Sequence, residues 1–303
     1  MRIAIYGSGG VGGYFGARLA AARNEVHFIA RGAHLKAIQE KGLRVESGAG
    51  DILVKPAKAT EDPAGIGPVD AVMFAVKLWD VESAAKQLKP LLHERTLVIP
   101  FQNGIEAPDL LKKHIGERHV LPGVAYIATG IREPGVIAHT GTMQRLQVGP
   151  GAEAFAAVCR AAGINVEQPA DIDRARWEKF VMLVGMSGAT ALARAPLGVV
   201  RADPDLRWLL EEAMRETWRL GCARGVALAQ DFVAERMRFV DTLHADMRTS
   251  MQHDLENGNR LEAPWLCGAV ARMSAEAGLG APVNHTIYAA LKPFLDGSEV
   301  KAA

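Results

Sequence analysis

Cysteine is scarce in this chain, with three in 303 residues: Cys159, Cys222 and Cys267. They lie far apart, are odd in number and lack CxxC or CxxCH spacing, which argues against a disulfide framework and a cysteine-based metal centre. They read as reduced, mostly buried small hydrophobes. An excess of one charge is also missing: the formal net charge is +1, so there is no electrostatic footprint for nucleic acid or an anionic membrane surface. His244 and His253 have no companion at ligand spacing, and no metal is expected. The longest uncharged run, FVMLVGMSGATALA from Phe180 to Ala193, is too short to span a bilayer. The apolar run after Arg2 is broken by glycine too early for a secretory signal. These absences lead us to expect a cytoplasmic protein, and no internal repeat or low-complexity tract interrupts the chain.

Glycine, by contrast, is concentrated at one place. The opening MRIAIYGSGGVGGYFGARLA packs six glycines between Gly7 and Gly16, at the junction of a short apolar strand and a helix from about residue 10 to 22. Glycine weakens both element types, so the cluster implies that backbone passes where side chains cannot. Gly7, Gly9 and Gly12 spell G-x-G-x-x-G between strand and helix, the context in which that motif binds a dinucleotide. The first glycine permits the tight turn, the second lets backbone approach a pyrophosphate, and the third lets helix and strand pack closely. Ser8, Gly10 and Val11 belong to the same turn and helix start, whose N–H groups suit phosphates, and are counted with them as cofactor contacts. Gly10, Gly13 and Gly16 have no separate duty in the motif.

Length favours two domains, since single cores stop growing near about 250 to 300 residues. In the first half, RIAIY, EVHFIA, VDAVMFAVK and TLVIPF alternate with amphipathic stretches such as AHLKAIQEKG, which signals βαβ units and a parallel sheet. The later runs HVLPGVAYIA, GVIAHT, QRLQVG and INVEQ read as an antiparallel or mixed extension of that sheet. From Asp171 onward the patterns are helical. In one of them Leu206, Leu209, Leu210, Ala213, Met214 and Cys222 mark a buried face. The expected fold is α/β: an N-terminal Rossmann-type doubly wound sheet in residues 1–168, followed by a mostly α-helical domain in residues 169–303.

Position along the sheet singles out further residues. The second strand, VHFIARG, ends in Arg31, and no acid lies from Val26 to Gly32. An NAD site usually carries a carboxylate there, whereas a guanidinium suits a 2′-phosphate, so the cofactor expected is NADP(H); the plain alternative is a solvated arginine. Ligands of open α/β sheets sit beyond the carboxyl ends of strands, which draws in Lys77, Gln102 and Asn103. Taken singly, Lys77 could snorkel to solvent and Asn103-Gly104 could be an ordinary turn. In the helical half, Lys179 stands where a polar helix start becomes apolar; a desolvated lysine has a lowered pKa and can act as an acid near neutrality, unless it is exposed and paired with Glu178 or Asp173. Ser250 and Glu262 bracket a polar, glycine-containing loop, although helix capping would explain both equally well.

Taken together, GSGGVGGYFGARLA, AVKLWDV, FQNGIE, PGVIAHTG, RWEKF and SMQHDLENGNRLE resemble the ketopantoate reductase (2-dehydropantoate 2-reductase) family, in order and spacing over nearly the whole chain. The resemblance implies NADPH-dependent reduction of a 2-oxo acid to a 2-hydroxy acid, with nucleotide in the first domain and substrate held against the second. It implies Lys179 as the general acid and Glu262 as its support, Asn103 and Ser250 at the substrate, and Lys77 near the cofactor. Leu183 and Ser187 stand where the family's ketopantoate enzymes typically carry asparagines, and Leu261 where threonine is usual. An apolar site discriminates weakly for a hydroxylated substrate, so these departures put the pantoate hydroxyls in question. They leave room for a paralogue acting on another branched 2-oxo acid, or for a non-catalytic NADP(H)-binding redox sensor. Helical surface in the second half could support a homodimer, although core packing explains each apolar stripe equally well.

Overall fold

The computed structural model describes residues 1–297. The chain divides into two compact units, Met1–Ala175 and Arg176–Ala303. The first unit runs β1 (Arg2–Tyr6), α1 (Gly10–Ala21), β2 (Glu25–Ile29), α2 (Gly32–Lys41), β3 (Leu43–Ser47), β4 (Ile52–Val54), β5 (Lys58–Thr60), β6 (Ala71–Phe74), α3 (Val81–Ala85), β7 (Leu97–Pro100), α4 (Ala107–Ile115), β8 (Gly123–Glu133), β9 (Val136–Val148), α5 (Glu153–Ala161) and β10 (Asn165–Glu167). One sheet has the order β5-β2-β1-β6-β7. All its pairings are parallel, with Ile3 opposite both Val26 and Ala71. All four residues of β6, AVMF, are buried, the continuous apolar run expected of a parallel strand covered on both faces.

Among the described residues the later strands join this sheet only at one parallel bridge, Val120 beside Val98 of β7, and do not otherwise extend it, which corrects the expectation from their sequence. They form a second, mixed sheet of order β10-β9-β3-β4, with β8 antiparallel along β9. This sheet also takes in β3 and β4 from early in the chain. Its place is explained by α1, buried at Gly12, Gly13, Tyr14, Phe15, Gly16, Ala17 and Leu19, too much of its circumference for one sheet to cover. A Cβ on Gly16 would come within 2.7 Å of Ile5 and Phe28 of the first sheet, whereas one on Gly10 or Gly13 would press on Thr129 or Ile137 of the second. The glycines without a motif duty therefore let one helix lie close to two sheets.

The second unit is helical: α6 (Ile172–Ala193, which begins just ahead of the division), α7 (Leu197–Ala202), α8 (Pro204–Ala223), α9 (Phe232–Thr242), α10 (Ser250–Glu256), α11 (Cys267–Glu276) and α12 (Pro282–Leu291). Among the described residues, no helix is long and apolar enough to cross a membrane. In α8, Leu210, Ala213 and Met214 are buried as the stripe predicts, while Leu206, Leu209 and Cys222 are half-buried. Burial pushes the thiols of Cys159 and Cys267 up to about 12, so both are inert at neutral pH. The same helix carries Glu216, 1% exposed, which periodicity does not anticipate. Its carboxylate accepts from the backbone N–H groups of Val283 and Asn284 and from Asn284 Nδ2, each at 2.8 Å. A buried carboxylate thus caps the N-terminus of α12 from another helix, where both the charge and the unpaired donors favour it.

Candidate functional site

In the first unit the carboxyl ends of β1, β2, β5 and β6 surround a cavity of about 350 Å³. Its lining includes Gly7, Ser8 and Gly9 from the glycine turn, Arg31 after β2, Glu61 after β5, and Lys77 and Asp80 after β6. The motif spacing is what opens it. Gly7 sits at φ +96, and a Cβ there would lie 2.6 Å from the Val76 backbone nitrogen, so the turn can pass the end of β6 only as glycine. A Cβ on Gly12 would collide with the Gly7 carbonyl oxygen. Gly9 differs: a Cβ there would meet nothing within 4 Å, which leaves backbone facing open space. Gly9 is also the N-cap of α1 and brings no side-chain cap, so the first-turn N–H groups of Gly10, Val11 and Gly12 are offered to a ligand instead. These features fit the pyrophosphate of a dinucleotide.

The Ser8 side chain faces inward, its hydroxyl donating to the Ile29 carbonyl at 3.1 Å, so Ser8 borders the cavity mainly through its backbone. His34, which sequence reasoning passed over, braces the same turn. Its Nδ1 accepts from the Gly135 N–H at 3.0 Å, which leaves Nε2 as donor to the Ser8 carbonyl at 2.8 Å. Burial lowers the His34 pKa, partly countered by the Ser8 hydrogen bond. Tyr6 and Gln87 also line the wall, joined by a hydrogen bond of 3.1 Å. Lys77 holds its Nζ 5.4 Å from the Trp79 ring centroid.

Arg31 departs from what its neighbours in sequence imply. Its guanidinium is 2.7 Å from the Asp80 carboxylate, a residue 49 positions away. The segment from Val26 to Gly32 lacks an acid, yet the folded chain supplies one there from the far side of β6. On the adjacent strand end, Gln102 and Asn103 follow β7 and lie outside the cavity lining. Gly104 at φ +80 makes the turn that Asn-Gly predicts. The Gln102 amide is buried, and neither of its polar atoms has a partner among the described residues, a desolvation cost of about 1 to 3 kcal/mol that a bound polar group would remove.

In the second unit Lys179 lies on α6. The residue as a whole is half-buried, yet burial of its ammonium lowers the pKa to about 8, with the Glu262 carboxylate acting in the opposite sense. The carboxylate that acts on its charge, Glu262, comes from a distant part of the chain. Helix capping explains neither Ser250 nor Glu262: Thr249 is the N-cap of α10 and accepts from the Gln252 N–H, while Ser250 is its exposed first residue. Glu262 precedes the short turn Ala263–Trp265 without a side-chain cap bond. Residues 250–256, expected as loop, are helical because Thr249 nucleates them. Leu183 is half-buried, and Ser187 is fully buried with a hydroxyl that has no partner among the described residues. Leu261 is 1% exposed, so its side chain packs in the interior of the unit.

Comparison with known proteins agrees over both units. A family model described as Ketopantoate reductase PanE/ApbA matches residues 3–153, and one for the C-terminal part of the same family matches residues 171–294. The chain is 28% identical to an uncharacterized oxidoreductase of Bacillus subtilis, covering 97% of this chain and 99% of the relative. It is 32% identical to a 2-dehydropantoate 2-reductase of Halobacterium salinarum, covering 95% and 96%. The crystal structure of a PanE/ApbA family ketopantoate reductase from Ralstonia eutropha JMP134 superposes with a TM-score of 0.90 at 32% identity, covering 97% of this chain and 98% of that one.

Proposed function

Because this chain belongs to the ketopantoate reductase family, we propose that it catalyses the NADPH-dependent reduction of a 2-oxo acid to a 2-hydroxy acid. The leading substrate is 2-dehydropantoate (ketopantoate), converted to (R)-pantoate as in pantothenate biosynthesis. The observation that carries the reading is Lys179, whose pKa burial lowers to about 8 beside the Glu262 carboxylate. At that value the ammonium is populated at neutral pH yet gives up its proton readily, the balance a general acid needs.

The glycine turn, Arg31, Lys77 and Gln102 would hold the nucleotide, with Asn103 next to Gln102 on the same strand end. The reduced nicotinamide, when bound, supplies the hydride. Lys179 stabilises the negative charge that develops on the 2-oxo oxygen and transfers its proton there, completing the 2-hydroxy acid. Glu262 keeps the lysine charged until the reaction calls for its proton, and Asn103 and Ser250 orient the substrate. A second reading has its own support: Leu183, one turn beyond Lys179, offers no hydrogen bond to a substrate hydroxyl, which favours a paralogue acting on a less polar branched 2-oxo acid.

Purified protein, NADPH and a panel of ketopantoate, 2-oxoisovalerate and pyruvate separate these readings through the absorbance of the reduced nicotinamide. Ketopantoate turnover supports the first, and turnover of the simpler acids alone supports the paralogue. Nucleotide binding without any turnover supports a redox sensor. Lys179→Ala should lower kcat by about 10²- to 10⁴-fold while calorimetric titration still finds nucleotide binding. An unchanged kcat would refute the assignment of the proton to Lys179.

A further inference from the structure

The nucleotide cavity carries a carboxylate where the local sequence promises only a cation. Asp80 ends the short turn Leu78–Asp80 after β6, and its Oδ2 lies 2.7 Å from Arg31 Nη2, with Oδ1 3.5 Å from Nη1. Both residues line the cavity, as does Glu61 from the end of β5. The Arg31 side chain is 71% exposed while that of Asp80 is 22% exposed, so the acid is the more firmly seated partner. It is anchored by main chain on both sides: the Asp80 N–H donates to the Lys77 carbonyl, and the Asp80 carbonyl accepts from Ser83 Oγ.

A guanidinium already engaged by a carboxylate is a poorer phosphate site than a guanidinium alone. A dianionic 2′-phosphate would have to share the guanidinium with Asp80 or displace it, and in either case sit close to that carboxylate's negative charge. A ribose 2′-hydroxyl faces no such conflict, because it can donate to the carboxylate while the ion pair stays intact. Glu61 adds to the same asymmetry, and Lys77 opposes it.

We propose that Asp80 is a specificity-determining residue of the nucleotide cavity: it receives the ribose 2′-hydroxyl of NADH and offsets the attraction of Arg31 for the 2′-phosphate, so that the chain binds NADH alongside NADPH. This rests on the reading of the cavity as a nicotinamide-dinucleotide site, and it goes beyond the NADPH dependence proposed above by making that preference a contest between two side chains.

The test is calorimetric titration of the full chain with NADPH and with NADH, without a 2-oxo acid, in the natural protein and in Asp80→Asn and Arg31→Ala. The amide of Asp80→Asn keeps the shape and removes the charge. The ratio Kd(NADH)/Kd(NADPH) should then rise by about tenfold, the effect of one charge a few ångströms from another in a largely aqueous setting. In Arg31→Ala the ratio should fall. If Asp80 served only to position Arg31 for a phosphate, Asp80→Asn would weaken NADPH and lower the ratio, and that result overturns the proposal. So does a rise of less than about threefold. Absence of binding by either nucleotide to the natural protein would instead remove the cavity reading itself, whereas turnover of 2-oxo acids has no bearing on the ratio.

Discussion

The two units place their chemistry in contrasting materials. In the first, the cavity is shaped by backbone: Gly7 and Gly12 are glycine because other main chain occupies the place of a side chain, and Gly9 leaves a helix N-terminus uncovered. In the second, the group proposed to carry the chemistry is a titratable side chain, Lys179, whose pKa depends on burial and on a carboxylate more than eighty residues further along the chain. A backbone cradle announces itself through spacing, because the glycines must fall at set positions in one turn. A titratable side chain can be singled out by its place in a helix, but the surroundings that set its pKa exist only once the fold is assembled.

The most drastic way to break the first half of that comparison is Gly12→Val. Its added atoms would collide with the Gly7 carbonyl, and overpacking of this kind costs about 3 kcal/mol or more when backbone must shift. The melting temperature should drop and nucleotide affinity should vanish in calorimetric titration, whereas Lys179→Ala should spare both. Retained nucleotide binding in Gly12→Val would show that the turn is more plastic than its packing implies.

The second half is sharpened by pH. Burial holds the Lys179 pKa down to about 8, so the ammonium needed as acid is complete well below that value and declines as the pH rises through it. kcat/KM for 2-oxo acid reduction should be level below about pH 8 and fall by up to about tenfold per unit above it. Reduction that continues undiminished to pH 10 would mean that Lys179 is not the proton source. In Glu262→Gln the carboxylate that raises the lysine pKa is gone, and the decline should begin at lower pH.

The smallest expected effect returns to the cradle. His34 is lowered by burial, so the unfolded chain binds its proton more readily than the folded one. The stability His34 contributes is present above about pH 6.5, its ordinary value, and is lost as the pH falls through that value toward the folded one. Thermal midpoints between pH 7.5 and 5.5 should therefore decline more steeply in the natural protein than in His34→Gln, whose amide cannot take up the proton. Equal slopes would show that the brace on the glycine turn does not sense pH.

Legibility in the sequence follows the same division. Four of the five strands of the parallel sheet, the opening helix and the long helices of the second unit are readable because burial imposes a period of two or 3.6, or a continuous apolar run, on neighbouring residues, whereas the three-residue edge strand β5 is too short to show one. The second sheet was misread as an extension of the first because its strands β3 and β4 come from early in the chain, far from β8 and β9, and nothing local records that pairing. The helix at residues 250–256 is too short for a clear period. Glu216 looks like one more acid on a helix until its carboxylate meets the start of α12.

The sequence by itself determined that a strand-turn-helix made of glycines opens the chain, that βαβ units precede a helical half, and which lysine stands where polar gives way to apolar. Those features depend on residues near one another in the chain, and local sterics and periodicity suffice to specify them. Only the tertiary structure decided that Arg31 meets Asp80, that Glu216 caps α12, and that the extra glycines of α1 serve two sheets. Each is an encounter between segments distant in sequence, and distances between such segments are set by packing of the whole unit rather than by any stretch of it.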